Sequence, residues 1–130
     1  MTEPSPEHDL VACHIVDAAF AVHCVLGRGL ADSVYEQCLA YELEVRDIPF
    51  QRQVALPVYY RDKRIDAGFR MDMVVGGLVV VETKAIEKTL PVHEVQLVTY
   101  LKLSVHKLGL LINLDIVPIK YGIKRRVNGG

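Results

Sequence analysis

The sequence lacks an excess of basic residues. It contains 15 Lys and Arg against 16 Asp and Glu, which gives a formal net charge of −1. Proteins that bind long nucleic acid non-specifically usually carry a clear positive excess, because their lysines and arginines neutralise phosphates. The balance therefore argues against tight non-specific DNA binding, while it allows a local basic patch.

Cysteine is also scarce. The three cysteines are Cys13, Cys24 and Cys38, and no two of them have Cys-x-x-Cys spacing. An odd, unclustered set predicts neither a disulfide framework nor a zinc finger. His14 and His23 each adjoin a cysteine, but the two pairs lie roughly 15 Å apart on one predicted helix. Zinc ligands must lie within ~2.3 Å of one point, so we expect these residues to pack rather than bind metal.

No uninterrupted apolar run approaches the roughly 20 residues that a membrane-spanning helix needs. The segment from Met1 to Asp9 is acidic, contains two prolines, and lacks the basic start and apolar stretch of a signal peptide. We therefore expect a cytoplasmic protein with no membrane partner.

The length and composition predict one globular domain. A chain of 130 residues, 51% hydrophobic and 24% charged, is near the usual domain size and can build a substantial core. We predict a flexible N-terminal tail over residues 1–8 and a single domain over residues 9–128.

Hydrophobic periodicity predicts the secondary structure. An amphipathic helix follows a cap at Asp9 and ends at the glycines of residues 27–29, and a second helix begins near Asp32 or Ser33 and ends near Arg46. The later predicted elements are a strand over 53–60 interrupted by Pro57, a polar turn over 61–64, a strand from Ile65, apolar strands over 69–75 and 78–84, a helix from Pro91 to about Leu103, a strand over 107–113, and a short strand within 119–127.

The order of these elements predicts the fold class. Two N-terminal helices precede a three-strand meander, which is followed by a helix and one or two final strands. Grouped elements of this kind favour an α/β fold of the α+β type, with a mixed sheet flanked by helices.

Two acidic residues in the apolar strands suggest chemistry. Asp72 lies in Phe-Arg-Met-Asp-Met-Val-Val, and Glu82 directly follows Leu-Val-Val-Val. A buried, unpaired carboxylate is costly, so two of them on adjacent strands favour a cation between them, and hard oxygen ligands suit Mg²⁺ or Mn²⁺. Lys84 shares a face with Glu82 and could stabilise phosphate charge. The alternative is a strand-end ion pair between Glu82 and Lys84, with Asp72 as a cap.

The register of the hairpin around Gly76-Gly77 decides between these interpretations. A strict two-residue turn would place Asp72 opposite Val81 and would put Glu82 on the other face of the sheet. The proposed site therefore requires a loop with an odd number of residues, or a bulge, and two adjacent glycines make either accessible.

Two helices carry further candidates. Gln96 and Tyr100 lie four residues apart on one helix face, with His93 on nearly the same stripe, and each could contact a nucleotide or phosphate. On the second helix the candidates are Asp32 and Glu36, either of which could reach a metal, and the adjacent Tyr35. In isolation, surface or core packing is the more common role of a pair such as Gln96 and Tyr100, and a solvated helix start that favours acids explains Asp32 and Glu36 at least as well.

Basic residues cluster in two places. Arg61, Lys63 and Arg64 lie in one predicted turn, and four more cations lie near the C-terminus, namely Lys120, Lys124, Arg125 and Arg126. Either cluster could contact phosphates, although a solvated surface is the default interpretation.

Together, these motifs resemble the GxxExxY proteins of the PD-(D/E)XK nuclease superfamily. The resemblance rests on Gly29-x-x-Asp32-x-x-Tyr35, Asp72 with Glu82-x-Lys84, Gln96-x-x-x-Tyr100 and the closing Gly122-Ile123-Lys124-Arg125, and it runs from about Val11 to Asn128. It implies a restriction-endonuclease-like core. Asp32 stands where the family has its named glutamate, so the ligand from the second helix could be Asp32 or Glu36.

The resemblance also implies roles for individual residues. Asp72 and Glu82 would bind Mg²⁺ or Mn²⁺, with the Thr83 backbone carbonyl as a third ligand, and Lys84 would be the catalytic lysine. Gln96 and Tyr100, with Tyr35 and His93 as further candidates, would hold the substrate.

The resulting hypothesis is a metal-dependent nuclease that hydrolyses phosphodiester bonds of nucleic acid, with DNA as the expected partner. The alternative is a catalytically weak or inactive module with the same fold that binds nucleic acid or protein as a regulatory homo-oligomer. The near-neutral charge and the Asp32 departure favour the alternative. A third alternative is a homodimer with a structural role, because many apolar residues must be housed in few elements.

Overall fold

Residues 3–129 are described by a computed structural model. The helices are α1 (Pro6–Leu26), α2 (Asp32–Val45) and α3 (Pro91–Ser104), with a short 3-10 helix at Ile119–Gly122. The strands are β1 (Phe50–Ala55), β2 (Val58–Tyr60), β3 (Lys63–Ile65), β4 (Arg70–Val75), β5 (Val79–Lys84), β6 (Leu108–Asn113) and β7 (Ile123–Val127).

Helix α1 begins earlier than the sequence pattern predicts. Ser5, not Asp9, is the N-cap: its hydroxyl accepts the N–H of His8 at 3.4 Å, and Pro6 occupies the first helical position, where its missing N–H is not needed. The prediction of a tail over residues 1–8 is therefore wrong from Ser5 onward. Residues 1 and 2 lie outside the described part of the chain.

By length and composition alone, α1 could cross a membrane. The core helix of a soluble protein passes the same test, and this helix buries Ile15, Ala18 and Ala19 completely against the rest of the fold. Its first turn also carries Glu7 and Asp9. One face of α1 therefore belongs to the core, while only 28% of its apolar stretch is buried, and the absence of a membrane partner stays a prediction.

A five-stranded mixed sheet organises the molecule. Its order is β1-β4-β5-β6-β7, and every neighbouring pair is antiparallel except β5 and β6, which are parallel. Helix α3 connects these two parallel strands, because parallel neighbours need a crossover connection. The predicted α+β fold is confirmed, and it is consistent with a restriction-endonuclease-like domain.

The predicted strand over residues 53–60 is two strands in different sheets. Strand β1 ends at Ala55, and β2 begins after Pro57 and pairs only with β3 in a separate hairpin. Proline cannot donate to a sheet ladder, so it separates the two segments. The following turn contains only Arg61 and Asp62, since β3 already begins at Lys63.

The sheet buries both of its faces. Side chains such as Met73 and Val81 pack with α1 and α2 in one apolar cluster, whereas Val74 and Val80 pack with α3 in a second one. Successive strand residues point to opposite faces. Asp72 and Glu82, each two residues from a member of the second cluster, therefore lie on the α3 face.

Candidate functional site

The connection between β4 and β5 sets the register that the site requires. Val75 pairs with Val79, so residues 76–78 form a three-residue loop, whose two glycines have φ of +61° and +68°. These left-handed values favour glycine. Continuing the same register toward the other end of the hairpin brings Asp72 opposite Glu82. The odd-length loop that the sequence hypothesis required is present.

The side chains of the two acids accept main-chain N–H groups across β4 and β5, in place of main-chain carbonyls. The carboxylate of Glu82 accepts the N–H of Asp72 at 2.8 Å, while the carboxylate of Asp72 accepts the N–H of Thr83 at 2.8 Å and its hydroxyl at 3.1 Å. The recorded β4–β5 pairing ends one residue earlier, at Met73 and Val81. Both carboxylates are therefore fixed at the point where the strands separate.

Burial and mutual repulsion disfavour ionisation of these acids. Burial, followed by the charge of Asp72, raises the pKa of Glu82 to about 8, and only 5% of Glu82 is exposed. Burial also raises the pKa of the half-buried Asp72, against the effect of its hydrogen bond from Thr83. A nearby cation stabilises the charged forms of two such carboxylates, because it offsets their burial and their mutual repulsion.

Lys84 supplies one positive charge at this place. It lies two residues after Glu82, so its side chain leaves the same face of β5. Its charge acts to lower the pKa of Asp72 and of Glu82, although burial outweighs it in both. The predicted strand triad is therefore brought together.

Tyr100 and Gln96 of α3 border the acids. Tyr100 is 7% exposed, and its pKa is raised first by burial and then by the charges of Glu82 and Asp72. The exposed Gln96 donates from Nε2 to the Tyr100 hydroxyl at 3.2 Å. The pair combines an exposed amide with a phenol in the electric field of the acids, a position suited to contacting a substrate.

Of the two candidate acids on α2, Glu36 is the one near the site. It is 5% exposed, and its charge raises the pKa of both Asp72 and Glu82, although it is not the main cause in either. Asp32 lies exposed in the first turn of α2, where its carboxylate accepts the N–H of Ser33 at 2.9 Å. An acid there is favoured by the helix dipole alone.

Two residues that the sequence analysis did not single out hold Glu36. Arg52 donates from both Nε and Nη2 to one carboxylate oxygen at 3.0 and 2.8 Å, and Gln53 Nε2 donates to the other oxygen at 3.0 Å. Consecutive strand residues normally point to opposite faces. Gln53 has φ of +51°, and this left-handed backbone lets both side chains reach one acid. Glutamine does not signal such a conformation in a sequence.

The predicted substrate contact of Tyr35 is wrong, and that of His93 stays a prediction. Tyr35 is completely buried in the core, where its hydroxyl donates to the carbonyl of Gly27 at 2.5 Å and accepts the N–H of Leu30 at 3.3 Å. These two hydrogen bonds of the Tyr35 hydroxyl stabilise the turn between α1 and α2. His93 uses its Nδ1 to accept the N–H of Leu90 at 3.0 Å, so its ring helps to cap the start of α3.

The donor set at the strands fits a hard divalent cation that keeps part of its water. Mg²⁺ usually binds to proteins through one or two carboxylates and completes its shell with water and substrate phosphate. Asp72 and Glu82 are two such carboxylates. Within residues 3–129, no three His, Cys, Asp or Glu side chains form a recognised metal cluster, so the protein by itself does not provide a complete cage.

The Thr83 carbonyl fits the same picture. The N–H and C=O of one strand residue point toward the same neighbouring strand. Because the Thr83 N–H points to Asp72 on β4, the Thr83 carbonyl also points toward β4, where the acids lie.

Comparison with known proteins identifies the family. A family model described as the PD-(D/E)XK nuclease superfamily matches residues 9–126. Searches of curated proteins and of solved structures each returned no significant match. The narrower resemblance to GxxExxY proteins therefore stays a prediction. Nucleases of the matched superfamily generally use divalent metals. Since the match spans most of the 130 residues, this chain belongs to the PD-(D/E)XK nuclease superfamily.

Proposed function

We propose that the protein is a metal-dependent nuclease that hydrolyses phosphodiester bonds of DNA, with Mg²⁺ or Mn²⁺ held by Asp72 and Glu82. The observation that carries the proposal is the pair of carboxylates fixed opposite each other on β4 and β5, with Lys84 on the same face. Superfamily membership supports a nucleic-acid substrate. The cytoplasm is the proposed location.

Each residue of the proposed site has its own chemical role. A divalent cation supplies, when bound, polarisation of a phosphoryl oxygen and activation of water. Asp72 and Glu82 would hold that ion, with the Thr83 carbonyl as a third protein ligand. The Lys84 ammonium stabilises negative charge that develops on the phosphate. Gln96 and Tyr100 hold the end of the substrate beside the acids.

Calorimetry with Mn²⁺ tests the metal site. Wild-type protein should bind the ion and Asp72→Ala should not, because it lacks one of the two strand carboxylates. Asp32→Ala is the matched control: it removes an exposed acid whose charge, unlike that of Glu36, does not contribute to the pKa shifts of the strand pair, so binding should be retained. Equal Mn²⁺ binding by wild type and Asp72→Ala would end the assignment.

A cleavage assay tests the activity. Labelled single-stranded and duplex DNA, with RNA of the same sequence for comparison, is incubated with wild-type protein in Mg²⁺, in Mn²⁺ and in EDTA. Cleavage of DNA that requires the metal and is lost in Asp72→Ala supports the proposal. Cleavage that persists in EDTA, or that Asp72→Ala performs at the wild-type rate, contradicts it.

A module with weak or no turnover, acting as a homodimer that binds nucleic acid or protein, is the second candidate. The favouring observation is an apolar groove between α1 and α2, where Val25 is 82% exposed and Tyr41 65% exposed. Contiguous exposed apolar surface marks interaction sites. Metal-independent dimerisation in sedimentation experiments, together with no cleavage of any nucleic acid, would favour this candidate.

A further inference from the structure

The hairpin formed by β2 and β3 begins beside the acids. The hairpin is inserted between β1 and β4 in the chain. Its base is closed by the pairing of Ala55 with Arg70 and by a 2.9 Å hydrogen bond from the Leu56 N–H to the Phe69 carbonyl. Asp72 follows Arg70 by two residues on β4, a distance of about 7 Å along a strand. The hairpin therefore extends from the edge of the candidate site.

Exposed aromatic rings lie on the β2–β3 hairpin and at its base. Tyr59 and Tyr60 on β2 are 57% and 67% exposed, and Phe69 at the base is 43% exposed. The Phe69 ring lies 6.1 Å from the ring of Tyr100, which in turn borders the acids. Apolar rings are thus available to solvent from the site outward to the hairpin.

Cations lie among these rings. The Arg61 guanidinium lies over the Tyr60 ring, 5.6 Å from its centroid, and Arg64, which pairs across the hairpin with Tyr59, is bonded to Asp66 at 3.1 Å. Within residues 3–129, no ion pair is recorded for Arg61 or for Lys63. The segment over residues 58–66 carries three cations and two acids, so it is locally positive in a chain of net charge −1.

Alternating rings and cations suit an unpaired nucleic-acid strand. Every base has a π-face that can stack on tyrosine, and lysine and arginine contact the phosphates between bases. In a duplex the base faces are stacked on one another and unavailable. We propose that the β2–β3 hairpin binds unpaired nucleotides and presents a single strand to the site of Asp72 and Glu82. The presenting role rests on the proposed nuclease function, whereas strand binding does not.

Binding without metal tests the hairpin separately from catalysis. Fluorescence anisotropy of labelled oligothymidine, oligouridine and a DNA duplex of the same length is measured in EDTA with wild type, Tyr59→Ala and Tyr60→Ala. At least one of the two alanine variants should bind about tenfold more weakly, because one stacking contact is lost. The two rings leave β2 on opposite faces, so a loss in both is not required. Tyr60→Phe should bind as wild type does, since it keeps the ring. The two single-stranded oligonucleotides show whether the strand bound is DNA, RNA or either.

Tyr121→Ala is the matched control. Tyr121 is 64% exposed, and Lys120 Nζ lies 5.1 Å from its ring centroid, so it repeats the exposure and cation contact of Tyr60 at a position outside the hairpin. It should leave binding unchanged.

Three results would overturn the proposal: no oligonucleotide binding by wild type, an equal loss in Tyr121→Ala and Tyr60→Ala, or duplex binding as tight as single-strand binding. The binding assay contains EDTA, so it does not depend on a metal. If the protein binds the strand with the expected losses but does not cleave it in a separate assay with Mg²⁺, only the nuclease function is contradicted.

Discussion

Asp72 and Glu82 are joined across two strands by a 2.8 Å hydrogen bond from the main-chain N–H of one to the carboxylate of the other. Each acid thus satisfies part of its bonding capacity within the sheet and keeps other lone pairs for a ligand. The bonds fix the positions of the carboxylates before any ion arrives, and such preorganisation favours both binding and catalysis.

Replacing Lys84 should separate catalysis from metal binding. Lys84→Ala should lower the cleavage rate roughly 10²–10³-fold, the usual effect of removing one electrostatic stabiliser, while calorimetry still detects Mn²⁺. Single-turnover cleavage of labelled DNA measures the change. Lys88→Ala is the control, since Lys88 lies exposed in the following loop. Unchanged cleavage by Lys84→Ala would remove this lysine from the mechanism.

The metal-free protein should lose stability as the pH rises. In the unfolded chain Glu82 loses its proton near its ordinary pKa of 4.5, whereas the folded protein keeps it until the pH nears about 8. Between these values the native state binds more protons, so the free energy of unfolding falls with pH, by at most about 1.4 kcal/mol per pH unit.

Urea denaturation in EDTA at several pH values between 4.5 and 8 measures this effect. Glu82→Gln should flatten the dependence because it cannot ionise, and Glu87→Gln, which changes an exposed residue of the loop after β5, should not. A wild-type stability that rises with pH across this window would contradict the assignment to Glu82.

Breaking the contact between Glu36 and Arg52 should destabilise the fold. Arg52→Ala leaves a buried carboxylate without its charged partner and should lower the free energy of unfolding by about 1–3 kcal/mol, less than for a fully buried pair because Arg52 is partly exposed. The double variant Glu36→Gln, Arg52→Ala should recover part of this loss. The exposed pair of Arg64 and Asp66 is the control, and its removal should have little effect.

Tyr35→Phe should affect stability and not activity. The variant loses the hydroxyl that bridges Gly27 and Leu30, and the free energy of unfolding should fall by about 1–2 kcal/mol. Activity per folded molecule should stay at the wild-type level, because this hydroxyl is not at the acids. Tyr41→Phe, at a 65% exposed position, is the control. A selective loss of cleavage in Tyr35→Phe would restore the substrate-binding hypothesis.

The sequence by itself determined the order of the three α-helices and of the main-sheet strands, and the strand residues of the candidate site. Hydrophobic periodicity comes from residues close together in the chain, so α2 and α3 were predicted within a residue or two of their observed ends. The two acids were recognisable because carboxylates are rare in apolar strands, and the pair of glycines signalled a loop that could provide the required register.

Only the tertiary structure decided what the remaining side chains do. Tyr35 and Glu36 are adjacent on one helix, yet one lies in the core and the other near the acids, because each meets a different segment of the fold. The contacts of Glu36 depend on the left-handed backbone at Gln53, and the separate β2–β3 hairpin depends on the break at Pro57. Such features arise from packing between segments distant in the chain, which local periodicity does not report.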